Sequence, residues 1–179
     1  MLSKSLFSQL NLVLNSEFDD YLGFSGTNVL PIDAASNWKG YKSADLYLRD
    51  SIDKHGNVVR IAPYLNEGLS GNLKRGLYEN EEYVLKFDLY CSKKEKLLLD
   101  FFLSNSQLDS IEHKLIKIKT KRKKWITYSY KMTSNIFNDR FSLISSTSKQ
   151  SRFVIFIDNI EIIVKGYEND LTYKQLRVK

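Results

Sequence analysis

Tyr83-Val84-Leu85-Lys86-Phe87-Asp88-Leu89-Tyr90-Cys91 alternates without a break. Tyr83, Leu85, Phe87, Leu89 and Cys91 fall on one face at period two. Val84, Lys86, Asp88 and Tyr90 fall on the other. Successive side chains of extended backbone point to opposite sides, so an apolar face backed by a mixed polar one marks a half-buried antiparallel strand.

The same period recurs downstream. After the basic turn Lys93 to Lys96, residues 97–103 place Leu97, Leu99, Phe101 and Leu103 opposite Leu98, Asp100 and Phe102. Residues 111–120 set Ile116 and Ile118 against Leu115, Lys117 and Lys119. Residues 125–132 align Ile126, Tyr128, Tyr130 and Met132, and strands over 140–145 and 152–164 complete the set. Upstream, 44–49 and 58–64 alternate, and 73–77 reads as a further strand closed by the turn Glu79-Asn80-Glu81. Residues 21–40, with Gly23, Gly26, Pro31 and Gly40, read as a long loop with room for one short strand, and 66–72 as a glycine-containing loop. Many short strands separated by turns predict an all-β chain, an antiparallel β-sandwich or barrel. The expected organisation is an N-terminal segment over 1–10, one domain over 11–165 and a charged, aperiodic tail over 166–179.

Composition narrows the function classes. With 179 residues and 42% hydrophobic side chains, the chain is long enough to bury a core without staples. The single cysteine, Cys91, excludes an internal disulfide scaffold. No apolar run reaches the roughly 18 residues of a membrane-spanning helix, and the N-terminus does not read as a secretory signal. His55 and His113 do not stand at zinc-ligand spacing. Phosphate-loop, nucleophile-elbow and HExxH patterns are missing, so no enzyme activity is expected. The net charge of +6 is concentrated in Lys93, Lys94 and Lys96 and in the run Lys114, Lys117, Lys119, Lys121, Arg122, Lys123 and Lys124. These clusters suit a solvated hairpin, an acidic surface or an anionic wall polymer. Aromatics do not interleave with them as a base-stacking platform requires, which disfavours nucleic acid.

Four segments in order carry a family resemblance. Residues 11–19, Asn-Leu-Val-Leu-Asn-Ser-Glu-Phe-Asp, are similar to the opening of galactose-binding-like jelly rolls, with Trp38 at the place of a following tryptophan. Arg75, Leu77, Asn80, Tyr83, Leu85 and Phe87 match a central motif, Trp125 and Tyr128 a later one, and Phe156-Ile157-Asp158-Asn159-Ile160-Glu161-Ile162 the terminal strand. The chain therefore resembles the carbohydrate-binding modules of that group over roughly 10–165.

The resemblance implies a two-layered jelly roll whose first and last strands meet, with a structural Ca²⁺ near Asp19 and Asp158. Hard cations take several oxygens, which carboxylates and loop carbonyls supply. It also implies a sugar site on a concave sheet face or on the end loops. The candidates are Trp38 and Tyr41 from the long loop, with Arg60, Tyr64, Lys86, Asp88, Tyr90 and Asp100 from the polar strand faces. For a chain read without signal or catalytic domain, the expected setting is a bacteriophage virion, in tail or baseplate, and otherwise the extracellular space or cell surface. The partners would be host cell-wall glycan or polysaccharide and other virion proteins. A purely structural virion assembly protein and an accessory module of a glycoside hydrolase remain open alternatives.

Overall fold

The computed structural model describes residues 9–14, 16, 18–19, 29–50, 55–107, 110–146 and 152–165. The expected N-terminal segment, apart from residues 9 and 10, and the tail lie outside them. Alternating sequence becomes strand wherever one face can be buried. The strands are β1 (Gln9–Asn11), β2 (Val29–Pro31), β3 (Trp38–Tyr41), β4 (Asp45–Asp50), β5 (Gly56–Ile61), β6 (Gly68–Leu77), β7 (Glu82–Cys91), β8 (Lys96–Ser104), β9 (Ile111–Lys119), β10 (Lys124–Thr133), β11 (Asn138–Ser146) and β12 (Ile155–Lys165). Short 3-10 turns occupy Ile32–Ala34 and Pro63–Leu65.

Two antiparallel sheets stack. One is ordered β10-β7-β12-β5-β4-β2, with β1 added on β12; the other is ordered β3-β6-β11-β8-β9. This is the two-layered β-sandwich of a jelly roll. Its core forms where the inner faces meet: Tyr83, Leu85, Phe87 and Leu89 of β7 and Ile155, Ile157, Ile162 and Val164 of β12 face Leu97, Leu99, Phe101 and Leu103 of β8 and Phe141 and Leu143 of β11. Burying each such side chain stabilises the fold by roughly 1.5–3 kcal/mol.

The beginning of the chain does meet its end. Asn11 pairs with Ile163, Leu12 N donates to Ile162 O at 2.8 Å, and Ile160 N donates to Ser16 O at 3.2 Å. β12 carries a bulge there. Its inward residues change from odd numbers (Ile155, Ile157) to even ones (Ile160, Ile162, Val164), its pairing with β7 shifts between Asp158 and Glu161, and Asn159 takes a φ of 51°. One extra residue resets which face each side chain occupies.

Two readings of loops change. Within 21–40, the described part contains β2 and β3. Residues 68–72 of the glycine-containing segment 66–72 form the first half of β6, because its glycines serve close approach. At Gly71 a Cβ would lie 3.0 Å from the Phe141 ring and 3.4 Å from that of Trp38, so the absent side chain makes room for both rings.

Candidate functional site

The two sheets expose different chemistry on their outer faces. On the seven-stranded sheet, register places Arg60 beside Asp45 and Phe156, Phe156 beside Tyr90, and Tyr90 beside Trp125. Four expected site residues, Arg60, Lys86, Asp88 and Tyr90, therefore share this face. An aromatic row crosses it: Tyr47 to Phe156 at 5.8 Å, Phe156 to Tyr90 at 6.2 Å, Tyr90 to Trp125 at 5.6 Å and Trp125 stacked on His55 at 3.8 Å. Most of its charges are partnered, with Lys131 of β10 outside any ion pair among the described residues. Arg60 binds Asp45 at 3.1 Å and Lys86 binds Glu161 at 2.8 Å. Asp88 accepts from Thr127 and from Asn159 Nδ2. Hydrogen bonding to Glu161 holds the Lys86 ammonium above its ordinary pKa.

The five-stranded sheet is different. Its outer rows run Tyr41–Gly68–Ile144–Asp100–Leu115, then Lys39–Ser70–Ser142–Phe102–His113, then Asn72–Arg140–Ser104–Ile111. A groove of about 450 Å³ opens over the β3, β6 and β11 part of this face, with Ser70, Ser142, Ser104, Asn72, Lys39 and Arg140 along it. Neither Lys39 nor Arg140 forms an ion pair among the described residues. Next to the groove, His113 stacks on Phe102 at 4.7 Å and its Nε2 meets Asp100 Oδ1 at 2.7 Å. Unpaired cations and hydroxyls in a groove can bond a ligand without first breaking internal contacts.

The eight expected sugar contacts are thus divided. Tyr41 and Asp100 share the five-stranded face, and Arg60, Lys86, Asp88 and Tyr90 share the seven-stranded one. Tyr64 is exposed in the turn after β5, near Tyr41, since Lys42 Nζ donates to Leu65 O at 2.8 Å. Trp38 is corrected as an exposed stacking ring: it is 3% exposed, packed between Phe18 at 4.7 Å and Phe141 at 5.5 Å, and reaches the groove only as part of its floor. Its strand position turns the indole inward, where it covers the core. Sequence reasoning did not select Trp125, Phe156, Lys39, Asn72 or Arg140. For Trp125 and Phe156 the signal was present, since each alternates with inward residues of its own strand. For Lys39 and Arg140 only the pairing of β3 and β11 to β6 reveals the shared groove.

The expected calcium pair is held by N–H donors. Asp19 Oδ1 accepts from Asn57 Nδ2 at 3.2 Å, and Asp158 accepts from His55 Nδ1 at 3.0 Å and from Asn159 N at 2.7 Å. No three His, Cys, Asp or Glu side chains converge among the described residues. Donors facing both acids do not fit an oxygen cage around a hard cation. The bonds instead fasten the start of β5 to both ends of the chain.

Asp158 sets a pH dependence. It is 2% exposed, and burial pushes its carboxyl from 3.8 up to about 6, against the opposing bonds from His55 and Asn159. Between about pH 4 and pH 6 the folded form keeps a proton that the unfolded chain has released, so this group's contribution to stability falls as pH rises through that window. Urea melts from pH 4 to pH 7.5 should show wild type losing stability relative to Asp158→Asn as pH rises. Parallel curves would refute it.

No protein-family model matches the chain, and no curated protein matches it in sequence. Solved structures match its fold. A Clostridium thermocellum xylanase 10B fragment, its CBM22-1 and GH10 modules complexed with xylohexaose, aligns with a TM-score of 0.61 at 13% identity, over 88% of this chain and 29% of that one. A family 4 carbohydrate-binding module aligns with a TM-score of 0.56 at 14% identity, over 86% of this chain and 99% of that one. The enzymatically active domain of tailspike protein 4 of bacteriophage CBA120 aligns with a TM-score of 0.50 at 10% identity, over 85% of this chain and 21% of that one. The chain spans less than a third of the xylanase fragment and has the jelly-roll fold of the carbohydrate-binding modules.

Proposed function

We propose that this chain is a non-catalytic polysaccharide-binding module that seats a glycan across the five-stranded sheet. The groove of about 450 Å³, lined by serine hydroxyls, the Asn72 amide, the Asp33 carboxylate and two cations without ion pairs among the described residues, carries the reading. The Phe102–His113 rings and Tyr41, 47% exposed, offer apolar faces for the flat sides of sugar rings. Serine hydroxyls and Asn72 both donate and accept, which matches sugar hydroxyls.

Affinity electrophoresis through gels containing soluble polysaccharides, with pulldown on bacterial cell walls, tests it. Wild type should be retarded by at least one polymer, and Tyr41→Ala combined with His113→Ala should weaken retention about tenfold, the effect of roughly 1.4 kcal/mol. Absence of retention for folded wild type on every polymer and wall would end the reading.

The setting we propose is a bacteriophage tail or baseplate, where such a module would grip host cell-wall glycan. The fold-level likeness to a tailspike segment supports it. Mass spectrometry of purified particles should find the chain; particles without it would remove the setting. A second reading, assembly through neighbouring subunits, is favoured by the row Tyr47, Phe156, Tyr90 and Trp125, since aromatics beside mutually paired charges are the composition of protein contacts. Under it, Trp125→Glu abolishes association seen by sedimentation while glycan retention persists.

A further inference from the structure

The charges of the five-stranded face are distributed along its length rather than gathered in the groove. Arg140 pairs with Ser104 at one end of β8, and Lys39 lies in the adjoining row. At the other end Lys117 is opposite Leu98, and Lys96 is directly opposite Lys119. The odd residues of β9 from His113 to Lys119 point outward, opposite buried Ile116 and Ile118, and Lys96, Lys117 and Lys119 are exposed. From residue 98 to residue 104 an extended strand advances about 20 Å.

The fold extends this second pole. Buried Thr120 ties the two basic turns together. Its N–H donates to Glu95 O at 2.9 Å, its Oγ1 accepts from Glu95 N at 2.7 Å and donates to Lys93 O at 2.9 Å. The turn that carries Lys93 and Lys94 therefore adjoins the one that carries Lys121, Arg122 and Lys123.

We infer that the ligand of this face is a polyanionic glycan lying along β8, with anionic groups held at Arg140 at one end and at Lys96, Lys117 and Lys119 at the other. This deepens the glycan-binding reading and rests on it. The guanidinium of Arg140 binds a carboxylate or phosphate through two parallel hydrogen bonds. The middle of the track offers Ser70, Ser142 and the Phe102–His113 rings to the sugar units, and the Asp100 carboxylate there is engaged by His113 Nε2 at 2.7 Å. The anionic group is a uronate carboxylate or a backbone phosphate diester, and the ligand needs at least about 20 Å of chain to reach both poles.

Binding is measured by isothermal titration and gel retardation with polygalacturonate, poly(glycerol phosphate) teichoic acid, neutral xylan, neutral galactan and duplex DNA, at 50 and 500 mM salt. Wild type should prefer one anionic glycan over both neutral ones by at least tenfold at low salt and lose most of that preference at high salt, through screening. Which anionic polymer binds assigns carboxylate or phosphate. Arg140→Gln and the triple change Lys96→Gln, Lys117→Gln, Lys119→Gln should each weaken anionic binding about tenfold with unchanged thermal melts. Oligomers too short to span both poles should respond to only one of the two variants. Retention on neutral glycan with no anionic preference overturns this inference and leaves the glycan reading intact. Failure to bind any glycan overturns both, and DNA binding equal to that of the best glycan overturns the choice of ligand class.

Discussion

Trp38→Ala is expected to lower the free energy of unfolding by about 3–5 kcal/mol, the range for deleting a fully packed large aromatic, while glycan affinity measured well below the melting temperature changes less than about threefold, under roughly 0.7 kcal/mol. The indole is 3% exposed, tilted against Phe18 and edge-on to Phe141. Its removal leaves a void between β3 and β6, because the residue opposite it is Gly71, which has no side chain to fill the gap. Partial collapse is also limited: Phe141 is itself held by β6 and β8 on either side. Denaturant unfolding and glycan titration of the same preparation separate the two outcomes. A variant that keeps its stability and loses binding would put Trp38 back among the sugar contacts.

Arg75→Ala should cost about as much, roughly 3–5 kcal/mol, because it strands a buried carboxylate. Arg75 and Glu81 side chains are each 10% exposed and bond through two nitrogen–oxygen pairs at 2.9 and 2.7 Å. Arg75 Nη1 also donates to Gly76 O at 2.6 Å, and Glu81 Oε2 accepts from Tyr78 N at 3.0 Å. The pair closes the turn from β6 to β7, in which Asn80 adopts a φ of 62°. Loss of the arginine therefore removes the lock on the turn as well as the charge partner. The double change Arg75→Met, Glu81→Leu should recover most of the loss, since no charge then remains buried. Equal destabilisation by the single and the double change would show that the packing of the arginine stem, and not the ion pair, matters.

These two residues show how far the family signature could be read. Arg75 and Asn80 were matched as motif positions, and their spacing has a physical cause: an arginine at the end of one strand reaching a glutamate past a left-handed turn. Trp38 was matched as well, but its role was misassigned. A tryptophan in a glycine-bounded segment looks exposed when that segment is read as a loop. The short pairing of β3 with β6 makes it strand and turns the ring inward.

The faces of β7 and β8 were legible because each alternates over nine or ten residues with one wholly apolar side, and water exclusion fixes the direction of such a strand without help from its neighbours. The inward shift within β12 is written in the spacing of its isoleucines. Which strands share a sheet is a different matter. Arg60, Lys86, Asp88 and Asp100 all oppose the core in the sequence, and all were assigned to one binding surface. The fold sends Asp100 to the opposite side of the molecule.

Local periodicity thus settled, from sequence alone, that the chain is all-β, a sandwich or barrel that the family resemblance narrowed to a sandwich, and which side of its clearest strands is buried, since burial depends on a side chain's own polarity and its place in the pleat. The tertiary structure alone decided which outward residues stand together. It joined Lys39, Arg140 and Asn72, more than thirty residues apart at the nearest between Lys39 and Asn72, into one groove, and on the other face it paired Arg60 with Asp45 and Lys86 with Glu161. The reason is that sheet neighbours are set by long-range hydrogen-bonded register, which no short window of sequence contains.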